Sequence, residues 1–129
     1  MGNLLKCILA SVNFGKGYAW CAAFVSWVYQ QNGVKNPRSA WVPSWFNTNI
    51  IWARDGLKNQ TPLPGDVFGL YYPQAKIIGH IGFIHRFGDR ITTTVEGNTN
   101  SEGSNEGDGV YMKRRQTRQL YKIASYIKD

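Results

Sequence analysis

The hydrophobic pattern of the chain changes once, at Pro64-Gly65-Asp66, and this change limits the fold class that the chain can adopt. Before this point apolar residues recur at helical spacing, and after it short β-rich runs are separated by turns. Helices that precede a block of neighbouring strands are typical of an α+β fold with an antiparallel sheet. The 129 residues, of which 43% are hydrophobic, suffice for one compact domain over residues 1–129 whose core needs neither disulfides nor metals.

The N-terminal half predicts helices. Residues 3–12 place apolar side chains at helical spacing and predict a short first helix. A second helix is predicted from Cys21 to Gln31, with apolar residues over a wide arc, and Gly33 is expected to end it. The segment from Val34 to Pro64 holds four of the five prolines and is expected to be irregular, apart from a short helix near Ser44–Asn49.

The C-terminal half predicts about five strands. Gly88-Asp89 forms the turn between two of them, and the polar, Gly-rich stretch from Thr99 to Gly109 is expected to be a mobile loop. The predicted strands are Val67–Tyr72, His80–Phe87, Arg90–Glu96, Val110–Arg114 and Leu120–Ile127.

Cys21 is the best candidate for a reactive group. A thiol in the first turn of a helix lies at the positive end of the helix dipole, next to backbone N–H groups without intrahelical partners. Both features favour the thiolate, which is the nucleophilic form. The alternative is a small buried side chain. That alternative is the expectation for Cys7, which lies in an apolar helical run and should neither pair with Cys21 nor take part in chemistry.

His80 is the candidate base for this thiol. Side chains alternate along a strand, so His80 and Gly82 share one face, and the small Gly82 is expected to leave space for an approaching helix. His85 is expected to be a surface or packing residue. A histidine in a strand is as often structural as functional, so His80 gains its significance from Cys21.

Glu96 and Asn98 are the candidates for orienting the imidazole. They lie two positions apart and therefore share a face at the end of a strand. Either side chain can hold the far ring nitrogen and so fix the tautomer that faces the thiol. The alternative is a polar strand end before a Gly97-Asn98 turn. Together with Cys21 and His80, these residues give the nucleophile, base and orienter of a thiol hydrolase.

The aromatic residues and the net charge indicate which partners the protein could bind. Most aromatic residues are expected in the core, and the candidates for the wall of a substrate groove are Trp20, Trp41, Tyr71 and Tyr72. The net charge of +7 predicts an anionic partner, either nucleic acid or a bacterial wall with acidic polymers. The basic run from Lys113 to Arg118 is expected to be a solvated face, so we predict no nucleic-acid partner.

Cofactors are not predicted. The Cys and His residues lack the paired spacing of a zinc site, no Asp-rich calcium loop is present, and no Gly-rich phosphate-binding motif occurs. Asp66 is expected to cap its turn.

Four motifs, taken in order, resemble the CHAP domain, the cysteine- and histidine-dependent amidohydrolase/peptidase family within the papain-like and NlpC-like hydrolases. The resemblance implies that Cys21 is the nucleophile, His80 the general base, Glu96 the third catalytic residue and Asn98 the accompanying amide. It implies no cofactor, although some members carry a structural calcium. The motifs are Trp20-Cys21-Ala22-Ala23-Phe24-Val25-Ser26-Trp27, Pro64-Gly65-Asp66-Val67, Gly79-His80-Ile81-Gly82-Phe83-Ile84 and Glu96-Gly97-Asn98.

The same resemblance implies a substrate. Members of the family, among them phage endolysins, cleave amide bonds of peptidoglycan as N-acetylmuramoyl-L-alanine amidases or as endopeptidases, and the resemblance leaves the choice of bond open. Two alternatives remain: a papain-like hydrolase or acyltransferase acting on another amide, and a non-catalytic module that binds the cell wall.

The expected location follows from the N-terminus and from the absence of a long apolar stretch. Residues 1–6 make a poor signal peptide, and no stretch approaches the length of a membrane span. We therefore expect a protein that is made in the cytoplasm and does not insert into membranes. It would reach the wall after release or export, as a protein of phage or prophage origin would. We also expect a monomer.

Overall fold

The computed structural model describes residues 20–99 and 107–127, which form one long helix and one antiparallel sheet. Within this part of the chain the sheet has six strands in the order β1-β6-β2-β3-β4-β5. The α+β prediction is therefore confirmed, with one strand more than the five expected, while the helix predicted over residues 3–12 lies outside the described residues. The elements are α1 (Trp20–Gln31), a 3-10 helix (Val42–Phe46), β1 (Ile50–Ala53), β2 (Val67–Tyr72), β3 (Ile77–Arg86), β4 (Ile91–Thr99), β5 (Gly107–Gln116), a second 3-10 helix (Thr117–Gln119) and β6 (Lys122–Ala124).

Helix α1 is buried over most of its surface and packs against β3 and β4. It ends as predicted at Gly33, which takes a φ of +68° that favours glycine. The N–H of Val34 donates to the carbonyl of Tyr29, and the N–H of Gly33 donates to that of Gln30. This pair of bonds is the Schellman motif, and it satisfies carbonyls that the helix end leaves free.

The two faces of the sheet are both buried at its centre, so β2 and β3 lie between two apolar clusters. Ile81 and Phe83 of β3 pack towards α1, whereas Ile84 packs on the opposite face with Phe68 and Ile123. Alternation along β3 produces this division. The same alternation places His80 on the face of Phe68, away from the body of α1.

Gly97 sets how closely α1 approaches the sheet. A Cβ at this position would overlap the indole ring of Trp20 and lie 2.8 Å from Cβ of Phe24. The prediction that Gly82 leaves this space is wrong, because a Cβ on Gly82 would instead lie 2.8 Å from Cγ of Glu96 and from Cε1 of Phe68. Gly82 leaves space for Glu96 and Phe68 on the face of the sheet opposite α1, and Gly97 leaves space for α1 itself.

Several boundaries differ from the predictions. Strand β1 was missed because its four residues pair with β6, from the other end of the described chain. The helix expected near Ser44–Asn49 is a 3-10 turn over Val42–Phe46, with proline in its first turn. The last predicted strand is shorter, at Lys122–Ala124. The ends of the loop expected from Thr99 to Gly109 belong to β4 and β5, and residues 100–106 lie outside the described residues.

We expect Gly97→Ala to destabilise the protein by about 1–3 kcal/mol, because the added methyl group overpacks a filled contact. The free energy of unfolding, measured by urea denaturation, checks this. Thr93→Ser on the same face of β4 is the control, because it keeps the hydroxyl 3.1 Å from Nδ1 of His85, and it should change the free energy less than Gly97→Ala does. Equal stability of Gly97→Ala and the wild type would contradict the packing described here.

Candidate active site

Cys21 follows Trp20, the first residue of α1 within the described part of the chain. Its side chain is a free thiol, and the residue is 7% exposed. The first backbone N–H groups of a helix have no intrahelical acceptors, so they remain available to an oxygen atom placed beside the thiol.

His80 lies on β3, where the pairing with β2 shifts register between Leu70 and Tyr71. Its Nε2 is 2.7 Å from Oε1 of Glu96 on the neighbouring strand β4. Cys21 lies close enough to the ring to raise its pKa. Because Glu96 occupies Nε2, Nδ1 is the ring nitrogen left for the thiol. The structure thus brings together three of the residues singled out from the sequence, on one helix and two strands.

Glu96 is fully buried and accepts hydrogen bonds from two further side chains. Thr94 Oγ1 donates to Oε2 at 2.6 Å. Arg115 on β5 donates from Nε to Oε2 at 2.6 Å and from Nη2 to Oε1 at 2.7 Å. A buried carboxylate is tolerated only when it is paired and hydrogen-bonded, and these contacts meet that condition.

The contacts shift the pKa values of both partners. Burial raises the pKa of Glu96, but hydrogen bonds from Arg115, His80 and Thr94 outweigh it and hold the pKa far below its ordinary value. Burial lowers the pKa of His80, but its interactions with Cys21 and Glu96 outweigh it and raise the pKa from 6.5 to about 9. At neutral pH the imidazole therefore carries a proton beside the Cys21 sulfur, with an ionised carboxylate behind it.

Tyr72 borders this group. Its ring covers Gly79, where a Cβ would overlap it, and the side chain remains 45% exposed. Burial of the phenol raises its pKa, and the neighbouring Cys21 adds to the rise. An aromatic ring beside the thiol and open to solvent is suited to contact a bound substrate, and this role stays a prediction.

The other aromatic residues predicted to bind substrate differ in exposure. Trp41 is 50% exposed at the start of the first 3-10 helix. Tyr71 is half-buried and packs against Tyr121, with ring centroids 4.9 Å apart. Trp20 is only 7% exposed and stacks on Phe24. For all three, a contact with substrate stays a prediction.

Two further sequence predictions concern polar residues. Asp66 caps its turn as expected, since its Oδ2 accepts the N–H of Leu63 at 2.8 Å. The backbone of Asn98 pairs with Gly109 in the β4–β5 ladder, while its side chain lies outside what the structure describes. The described part of the chain holds no group of three or more His, Cys, Asp or Glu side chains able to bind a metal ion.

Arg115 is the site residue that the sequence analysis missed. It was treated as part of a solvated basic run, and its neighbours Arg114 and Arg118 are indeed exposed. Arg115 lies opposite Thr92 of β4, and therefore on the same face as Thr94 and Glu96. Alternation in β5 indicates that Arg115 and Arg114 face opposite sides, but only the register with β4 identifies which one meets Glu96.

Comparison with known proteins gives one match. A family model described as the CHAP domain matches residues 13–98, which is more than half of the chain. No curated protein and no solved structure matches the chain at a significant level. No helix within residues 20–99 and 107–127 is long and apolar enough to cross a membrane.

The contact between His80 and Glu96 makes stability depend on pH in both directions. The raised pKa of His80 adds stability that is complete below about pH 6.5 and is lost as the pH rises through about 9. The lowered pKa of Glu96 adds stability that is present above about pH 4.5 and is lost as the pH falls. The combined contribution to stability is therefore greatest between about pH 4.5 and pH 6.5.

We expect an NMR titration of the His80 ring in the His85→Gln variant to have its midpoint near pH 9. His85 is exposed, so its replacement simplifies the spectrum without touching the site. The variant Glu96→Gln should lower the midpoint, because it removes one of the interactions that raise the pKa of His80. A midpoint near 6.5 in the protein with Glu96 intact would rule out the contacts described here.

Proposed function

Because this chain belongs to the CHAP domain family, whose members are generally hydrolases acting on peptidoglycan, we propose that it cleaves amide bonds of the wall peptide with Cys21 as the nucleophile. The observation that carries the proposal is the connected series Cys21, His80 and Glu96. A thiol beside an imidazole that is hydrogen-bonded to a carboxylate has the parts that acyl transfer through a covalent intermediate requires.

In the first step His80 holds the proton of the thiol, and the Cys21 thiolate attacks the carbonyl carbon of the substrate amide. Glu96 accepts a hydrogen bond from Nε2 of His80, which leaves Nδ1 towards the sulfur and the leaving group. The imidazolium then gives its proton to the amine nitrogen as the C–N bond breaks. The products of this step are a free amine and a thioester on Cys21.

The negative charge on the carbonyl oxygen needs donors during this attack. In this proposal the donors are backbone N–H groups of α1 next to the attacking sulfur, because the first N–H groups of a helix have no intrahelical partners. Such fixed donors stabilise an oxyanion more than water does, because they need no reorganisation.

Water completes the cycle. His80 takes a proton from the water that attacks the thioester, the C–S bond breaks, and the acid product leaves a thiolate beside an imidazolium. Each step moves one proton between His80 and the substrate or water, so no cofactor is needed to balance the reaction.

The surface fits an anionic polymer. The chain carries a net charge of +7, which favours retention on a wall with acidic groups. The exposed rings of Trp41 and Tyr72 are available to stack on sugar or peptide. In this proposal the protein reaches the wall after release or export from the cell in which it is made.

We expect Cys21→Ala to lower the rate of lysis of purified sacculi by at least about 10³-fold, because loss of the nucleophile removes the covalent pathway. Cys7→Ala is the matched control, since it removes the other thiol of the chain and should leave the rate unchanged. Turbidity of the sacculi and circular dichroism of each variant are measured together. Undiminished lysis by folded Cys21→Ala would refute the thiol mechanism.

Mass spectrometry of the digested peptidoglycan identifies the bond. A new amine on L-alanine indicates an amidase, and a new amine inside the stem or cross-bridge indicates an endopeptidase. Binding to sacculi without any soluble product would favour a non-catalytic wall-binding module. Cleavage of unrelated peptides but not of muropeptides would favour a papain-like hydrolase of another amide.

A further inference from the structure

The buried charge of Glu96 depends on a residue outside the sequence motifs. Glu96 has no exposed surface and lies against His80, Thr94 and Arg115. Arg115 alone supplies two of its hydrogen bonds, one to each carboxylate oxygen. The match to the CHAP family model covers residues 13–98, so it does not include Arg115 on β5.

We propose that Arg115 is a positioning residue of this site, which fixes the orientation of the Glu96 carboxylate and through it the tautomer and orientation of the His80 ring. The proposal rests on the proposed role of His80 as the base. Arg115 does not need to touch the substrate for this role, because it acts through Glu96.

The bidentate geometry carries the argument. Nε binds Oε2 at 2.6 Å, and Nη2 binds Oε1 at 2.7 Å, so rotation of the carboxylate would break both bonds. The same Oε1 lies 2.7 Å from Nε2 of His80. Arg115 therefore determines where the oxygen that holds the imidazole is located.

Lys113 is the other basic residue of β5 that forms an ion pair with Glu96, and its contact is weaker. Lys113 Nζ lies 3.9 Å from Oε1 of Glu96, beyond hydrogen-bonding distance. Lysine is also a point charge without the planar fork that matches a carboxylate.

Packing holds Arg115 on one side of Glu96 and His80 on the other. The guanidinium carbon of Arg115 lies 5.9 Å from the ring centroid of Phe68, and that ring is 6.2 Å from the His80 ring. Gly82 provides the space in which Phe68 and Glu96 meet. Each of these four side chains therefore contacts the next: Arg115 lies against Phe68, Phe68 against His80, His80 against Glu96, and Glu96 against Arg115.

The first test is kinetic and compares Arg115→Met, Arg115→Lys, Glu96→Gln and the double variant Glu96→Gln/Arg115→Met. We expect Arg115→Met to lower kcat on a soluble muropeptide by about 10²-fold with KM little changed, since a misplaced catalytic group costs about this much. Arg115→Lys should lose less. The double variant should equal Glu96→Gln, because Arg115 acts only through Glu96.

The matched control is Arg114→Met, which removes the adjacent exposed arginine of β5 and should leave kcat unchanged. Losses that multiply in the double variant would overturn the proposal, as would wild-type kcat in Arg115→Met. If Arg115→Met does not fold, Arg115→Lys decides, since wild-type behaviour of this variant would show that the fork is not needed.

The second test needs no activity. Nitrogen NMR of the neutral His80 ring should show a single tautomer with the proton on Nε2 in the wild type and in Arg114→Met, and a mixture in Arg115→Met and, to a smaller extent, in Arg115→Lys. A purely structural role of Arg115 would leave the tautomer unchanged, and that result would overturn the proposal. If the wild type cleaves no muropeptide, the proposed function fails, while this measurement still decides the role of Arg115.

Discussion

The ionised carboxylate of Glu96, buried without any contact with solvent, is the constraint on which the rest of the site depends. A charge in this position is stable only while its partners stay in place. Those partners come from β3, β4 and β5, so the register of three strands is tied to one side chain. Helix α1 adds the thiol from the edge of the same group, and Gly97 sets how closely it approaches.

Much of this arrangement was predictable because it is encoded locally. The thiol at the start of an apolar helix, the glycine that ends that helix and the bounds of β2 all follow from short-range patterns. Cys21, His80 and Glu96 were selected by their chemistry and chain order, and the structure places His80 in a hydrogen bond with Glu96 and next to Cys21. The resemblance to the CHAP domain, which those residues suggested, is confirmed by the family match.

The parts that could not be predicted depend on long-range register. Strand β1 is four residues long and forms its strand pairing with β6. Gly82 and Gly97 look alike in sequence, and only the faces of the assembled sheet show which one admits the helix. Arg115 is one of several basic residues in a row, and the ladder with β4 distinguishes it from its neighbours. In each case the missing information is which strands pair with each other and in which register.

The position of β6 in the sheet has a consequence for how the chain becomes a working protein. This strand comes from the end of the described chain, yet it lies between β1 and β2, in the interior of the sheet. During synthesis the nucleophile on α1 emerges before the six described strands, and β6 emerges after the other five. A chain cut short before β6 would therefore lose the strand that joins β1 to β2, and β1 would be left without its strand partner.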